Sequence, residues 1–367
     1  MQLSYRKFIK MFDMPTNLHR ELQQIYNFVV MTNGINEKYK YNPKPFFNEK
    51  ELIQGIKSQD KNIVSQAITL IESTHQKHRS LANSILSKLE NPATPSIRIG
   101  ITGSPGVGKS SFIEELGLLL CNKGIKVAVL TIDPSSEKSG GSILGDKTRM
   151  PELTKHKNAF IRPSPSKGTL GGVARNTKEA VLICETAGYE VIIVETVGVG
   201  QSETYISNMV DFFLLLMLAG AGDELQGIKR GIMELADGIA ITKADGGNEN
   251  NAKQAKITFN NALHLFPANV NGWIPVTHVC SAHLKKGISP IWKSIEQHRI
   301  QISNNGWLIE NRKRQNIFWM HQKIEEEIKN SFYNNPETKK SIKLLEKAVN
   351  KGEISPFHAA DKILKNR

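Results

Sequence analysis

Short, unbroken apolar runs alternate along the middle of this chain with segments whose apolar residues recur every three or four positions. Ile97-Arg98-Ile99-Gly100-Ile101, Lys126 to Asp133, Tyr189 to Val194, Phe212 to Ala219, Gly238 to Thr242 and the run opening at Val276 have strand length. Between the first two, Phe112, Leu116, Leu119 and Leu120 have helical spacing, and a helix is expected over 173–187. Strands alternating with helices predict a mostly parallel sheet, with ligands gathered at the carboxyl ends of the strands. Ahead of this block, Leu52 and Ile56, then Ile63, Ala67, Leu70 and Ile71, then Leu81, Ile85 and Leu89 predict a helical hairpin or three short helices. Behind it, from about Gly306, Ile317, Met320, Ile324 and Ile328 form one apolar stripe, with Lys323 and Glu325 to Glu327 placed on the outer side. Ile342, Leu345 and Val349 form another, and Ser355-Pro356 opens a last helix. Leu18, Leu22, Ile25 and Phe28 also have helical spacing, broken at Asn33-Gly34.

Chemistry enters where the first strand ends. Gly103-Ser104-Pro105-Gly106-Val107-Gly108-Lys109-Ser110 fits the phosphate-loop pattern G-x-x-x-x-G-K-[ST] without mismatch and sits between a strand and a helix. In that setting glycines let backbone N–H groups approach phosphate oxygens, the helix N-terminus adds positive charge, Lys109 reaches the outer phosphates and Ser110 takes a site on Mg²⁺. Ser111 completes the candidate loop. Asp133 and Glu195 end later strands, where a magnesium site can form, and the glycine-rich run 139–150 is expected to bring Asp146 towards it. Glu195-Thr196-Val197-Gly198 resembles the D-x-x-G of nucleotide switch proteins with Glu for Asp, and Gln201 or another residue positions the attacking water. Thr242-Lys243-Ala244-Asp245 resembles the guanine-reading [NT]-K-x-D, with Asp245 as reader and Thr242 in place of the commoner Asn. Ser281-Ala282-His283 matches the loop that backs the guanine.

Composition narrows the field further. The net charge of +13 from 48 basic and 35 acidic residues comes with no nucleic-acid motif, so solvated lysine-rich faces and an anionic ligand account for it. Cys121, Cys184 and Cys280 are far apart and form neither a disulfide framework nor a C-x-x-C metal site. The longest apolar run, 212–221, is too short to span a bilayer, and no signal-peptide pattern opens the chain, which places the protein in the cytoplasm. His75 and His78 are read as surface histidines, since no third ligand is near in sequence. The expected layout is an N-terminal extension at 1–48, a helical region at 49–95, a P-loop domain at 96–300 and a C-terminal helical arm at 301–367. The fold class is α/β, a P-loop NTPase.

Longer blocks carry a more specific likeness. Asp133-Pro134-Ser135-Ser136, residues 140–150, 195–203 and 220–229 resemble the methylmalonyl-CoA mutase-associated GTPases, the MeaB/ArgK type whose human relative is linked to methylmalonic aciduria type A. The likeness runs from about Glu51 to the C-terminus and takes in Ala67 to Ser73 and Gly352 to Leu364. It implies an enzyme that hydrolyses GTP to GDP and phosphate with Mg²⁺. It also implies a chaperone of an adenosylcobalamin-dependent acyl-CoA mutase, gating cofactor delivery and protecting the mutase from inactivation. Homodimerisation through the C-terminal arm is implied, with no nucleic-acid or membrane partner. Carried over by motif, Ser110, Asp133, Asp146 and Glu195 surround the metal. Lys109, Glu195, Gln226 and Lys229 form the catalytic set, the last two on a loop coupled to the partner. Two alternatives stay open: a P-loop kinase or ATPase acting on a small substrate, and a metal-insertion GTPase. The T-K-x-D and S-A-x matches weigh against the first, and the lack of a His-rich tract or cysteine pair against the second.

Overall fold

The computed structural model describes residues 48–73, 75–89, 95–133, 149–165, 170–196, 203–219, 230–267 and 269–365. The stripe at Leu18 to Phe28 and the turn residues 90–94 lie outside them. Among the described residues three helices come first: α1 (Glu49–Lys57), α2 (Lys61–Glu72) and α3 (Gln76–Lys88). Asn48 and Glu51 form a reciprocal capping box at the start of α1, and Asp60 caps α2. Of the two arrangements the apolar spacing allowed, three short helices is the one found.

The central block then runs β1 (Ile97–Gly103), α4 (Lys109–Asn122), β2 (Val127–Asp133), α5 (Pro151–Lys155), β3 (Ala159–Pro165), α6 (Leu170–Thr186) and β4 (Val191–Thr196). It continues with α7 (Glu203–Ser207), β5 (Phe212–Leu218), α8 (Arg230–Glu234), β6 (Gly238–Thr242), α9 (Glu249–Leu263), β7 (Val276–Val279) and α10 (Ile288–Asn304). The seven strands lie in the order β3-β2-β4-β1-β5-β6-β7, every neighbouring pair parallel. Alternate residues feed two cores. Ala128, Leu130, Ile192, Val194, Phe213 and Leu215 face the side packed with α2 and α6, while Val127, Val129, Val191, Ile193, Phe212 and Leu214 face the side packed with α4 and α10. Burial on both faces explains why these strands read as continuous apolar runs with no polar alternation.

The pattern gave no sign of β3. Its sequence, Ala159-Phe160-Ile161-Arg162-Pro163-Ser164-Pro165, carries an arginine and two prolines, which suits an edge strand paired only with β2. β4 also begins two residues later than expected and runs on through Thr196, so Glu195 lies within the ladder.

The C-terminal arm is α11 (Trp307–Asn334), α12 (Pro336–Asn350) and α13 (Pro356–Lys365). Here the amphipathic reading is reversed. Ile317, Met320, Ile324 and Ile328 are about half exposed, while Leu308, Arg312, Gln315, Trp319, Lys323 and Glu326 form the stripe that meets the sheet domain. Trp319 Nε1 donates to Asn208 O at 2.7 Å, Gln315 Nε2 to Val210 O at 2.7 Å, and Glu326 pairs with buried Arg175 at 3.1 Å. Apolar periodicity misses this face because four of these six members are polar or charged. No described helix is long and apolar enough to cross a membrane.

Candidate nucleotide site

Parallel pairing brings the carboxyl ends of β1, β4, β5, β6 and β7 to one edge of the sheet, and the sequence motifs leave from these ends. The loop 103–108 turns sharply out of β1. Gly108 precedes α4 with φ of 96°, a conformation that side chains with a Cβ rarely take, and a Cβ on Gly103 would sit 2.5 Å from Leu216 O. Both positions therefore require glycine. Val107 is fully buried and pins the loop to the core, while Pro105 and Gly106 are exposed.

Lys109 opens α4 and folds back over the loop, its Nζ donating to Gly103 O at 2.8 Å and Ser104 O at 3.1 Å. Burial pushes its ammonium below the usual lysine value, with Glu195 opposing that shift and Arg149 adding to it. The Ser104 hydroxyl is shielded from water with no hydrogen-bond partner, a polar atom that the loop itself leaves unsatisfied. Ser110 Oγ donates to Glu195 Oε1 at 3.2 Å, which places a hydroxyl and a buried carboxylate side by side at the start of α4. Ser111 is exposed on the next turn.

The base-reading candidates meet as well. Ser281 donates its hydroxyl to Asp245 Oδ2, and Leu284 N donates to Ser281 Oγ at 3.0 Å, so the two motifs form one hydrogen-bonded unit. Ala244 N donates to Cys280 O at 3.1 Å, joining the same two loops through their backbones. Lys243 is exposed with φ of 53°, a left-handed turn that swings the chain off β6. Ala282 is half-buried and His283 exposed. Thr242 Oγ1 lies 2.7 Å from Val107 O and 3.1 Å from Met217 O, so a single hydroxyl proton ties β6 to both the phosphate loop and β5.

The structure thus brings together the loop 103–111, Glu195, Asp245 and Ser281. Asp133 ends β2 at the same edge, with only its backbone described. Asp146, Gln201, Gln226 and Lys229 lie outside the described residues. Among the described residues no three His, Cys, Asp or Glu side chains gather as a metal centre. An adjacent hydroxyl and carboxylate still suit Mg²⁺, which takes oxygen donors and usually relies on one or two carboxylates plus substrate phosphates.

Comparison with known proteins decides among the P-loop readings. Residues 64–337 match the family model described as "Methylmalonyl Co-A mutase-associated GTPase MeaB". The chain belongs to the MeaB family. It is 44% identical over 306 residues to GTPase ArgK of Escherichia coli, covering 83% of this chain and 92% of that protein. It is 43% identical over 324 residues to the mouse methylmalonic aciduria type A homolog, mitochondrial, covering 86% and 78%. A crystal structure described as a LAO/AO transport system kinase superposes with TM-score 0.67 at 36% identity, covering 86% of this chain and 96% of that one. This MeaB-family chain is accordingly a P-loop GTPase.

What sequence reasoning missed was the far end of the sheet. Arg98 Nε and Nη2 clasp Glu185 at 2.8 and 2.6 Å, and Arg312 Nε and Nη2 clasp Asp211 at 2.9 and 2.6 Å. Burial alone would raise the Glu185 and Asp211 carboxyls, but the two guanidiniums hold both below their ordinary values. No local signal could have found this set, since its members come from four separate segments.

Proposed function

We propose that this GTPase is a chaperone of an adenosylcobalamin-dependent acyl-CoA mutase of the methylmalonyl-CoA mutase type, gating cofactor delivery and protecting the mutase from inactivation. The family description, which names mutase association, supports the reading. The observation that carries its nucleotide half is the meeting of a phosphate loop, the Ser110–Glu195 pair and the Asp245–Ser281 unit at one sheet edge. In this reading 49–95 is a helical front region, 96–300 the GTPase domain and 301–367 a dimerising arm. Exposed Ile317, Ile324, Ile328, Leu344 and Phe357 give that arm an apolar face for a second copy. The complex works in the cytoplasm, with neither nucleic acid nor membrane as partner.

Lys109 exchanges its two carbonyl acceptors for outer phosphate oxygens, while the backbone of 103–111 cradles the phosphates at the N-terminus of α4. Ser110, Asp133, Asp146 and Glu195 would hold Mg²⁺, which when bound would neutralise phosphate charge. Glu195 also orients water, and Gln226 and Lys229 couple the nucleotide to the partner. Asp245 accepts from guanine N1–H and the exocyclic amine, its carboxylate aligned by Ser281; Lys243, Ala282 and His283 flank the base.

The test is the hydrolysis rate of GTP, with ATP as control, alone and with a cobalamin-dependent acyl-CoA mutase from the same source. GTP-selective hydrolysis accelerated by the mutase is the expected result. Indifference to the mutase would discard the client while leaving the GTPase.

A further inference from the structure

Away from the nucleotide edge, α3, α6 and α11 line a half-open cavity of about 390 Å³. Its apolar wall comes from Leu86 of α3, Leu182 of α6 and Trp319 and Met320 of α11, and its charged lining is Arg175, Lys178, Glu179 and Glu185 of α6 with Lys323 of α11, three cations against two carboxylates. Lys178 is 4% exposed, and its ammonium has no hydrogen-bond partner in the structure. Three donors on a buried cation are thus unspent, which is costly for a charged group.

The neighbouring charges explain why no partner is available. The charges of Arg98 of β1, Arg312 of α11, Glu185 of α6 and Asp211 ahead of β5 all act on Lys178. The two carboxylates are already engaged by the two guanidiniums, Glu185 also accepting from Ser96 Oγ at 2.5 Å and Asp211 from Arg98 N at 3.0 Å. Three cations therefore share two anions. Burial, then the Arg98 charge, push the Lys178 ammonium down to about 7, with Glu185 and Asp211 opposing. With Lys178 protonated the cluster is one negative charge short, beside a cavity with an apolar wall.

We infer that this cavity binds a small organic monocarboxylate, its acid group pairing with Lys178 and its short apolar chain lying against Leu182 and Trp319. A lysine on a four-carbon stem can turn its ammonium to meet one carboxylate, whereas bidentate recognition would call for arginine. Apolar walls favour an alkyl tail over a fully hydrated inorganic anion. The occupant would touch both the GTPase domain and the long arm helix, on the opposite side of the molecule's chemistry from the phosphate loop.

Isothermal titration of the full-length protein with sodium hexanoate tests this, with hexanamide, chloride and inorganic phosphate as the other arms. Saturable binding of hexanoate alone is expected. Lys178→Met, which keeps the stem and removes the charge, should weaken it about ten-fold or more, the scale of one charge-assisted hydrogen bond. Leu182→Trp, which fills the cavity and keeps Lys178, should abolish it. Equal binding of hexanoate and hexanamide, preference for phosphate, no binding at all, or full affinity in Lys178→Met would each overturn the inference.

Discussion

The two ends of the sheet treat their buried charges in opposite ways. At the carboxyl end, Lys109 rests on backbone carbonyls and the Ser104 hydroxyl on nothing, so the charge is stored with weak partners that a phosphate can displace. At the amino end, Arg98, Glu185, Asp211 and Arg312 form two bidentate pairs that satisfy both carboxylates and leave Arg98 Nη1 without a partner. Exchangeable partners make a site, and saturated partners make a joint. Here the joint fastens α11 to the GTPase domain. Lys178 is its exception, because it sits in the joint with the unspent donors of a site.

The sharpest way to break the comparison is to remove one cation from each end. Lys109→Ala should lower GTP affinity about a thousand-fold, as an ammonium bridging two phosphates is lost. Its thermal stability should hardly change, because the lost bonds are to carbonyls at the rim of a loop. Arg312→Ala should do the reverse. It leaves the buried Asp211 carboxylate short of its main partner, which costs about 3 kcal/mol or more in unfolding free energy, while GTP affinity at the far edge holds. Denaturant titration and fluorescent-nucleotide binding on both variants read the two axes. Matching losses on both axes for either variant would erase the distinction between site and joint.

That distinction also governs what the chain disclosed. The phosphate loop, T-K-x-D and S-A-x are contiguous because a strand end delivers a whole loop to its ligand, so each motif is a local word. Arg98, Glu185, Asp211 and Arg312 are joined only by the fold, and no window of sequence contains two of them. The arm failed for a related reason. Leu308, Arg312, Gln315 and Trp319 follow one another at helical spacing, yet a search for apolar periodicity passes over a stripe containing Arg and Gln and selects Ile317, Met320, Ile324 and Ile328. The edge strand β3 hid behind Arg162 and its two prolines, which would argue against any central strand.

Finer substitutions sharpen the site end. Asp245→Asn should cut the preference for GTP over ATP by about a hundred-fold, since an amide cannot accept both guanine N–H groups as a carboxylate does. Competition of each nucleotide against labelled GDP measures this, and an undiminished preference would remove Asp245 from the base-reading role. Thr242→Val is milder. It keeps the shape and deletes the one proton shared by Val107 O and Met217 O, which should cost about 1 kcal/mol of stability. Nucleotide affinity should fall a few-fold as the loop loses its tie to β6.

A pH series is the most diagnostic test for the joint. The Lys178 ammonium is pushed from 10.5 to about 7 by burial, with Arg98 adding to the shift. Between those values the unfolded chain carries a proton that the folded chain has shed, so the unfolded state binds more protons there. Stability from this group therefore rises with pH from about 7 towards 10.5, and below 7 the full cost of the buried charge is borne. Lys178→Met should flatten this part of the profile and gain most at the acidic end, where the native lysine is charged. Melting temperatures of both proteins across that range, with no added carboxylate, give the comparison. Parallel profiles would mean that Lys178 keeps its proton through a partner within the fold, and the joint would then be saturated after all.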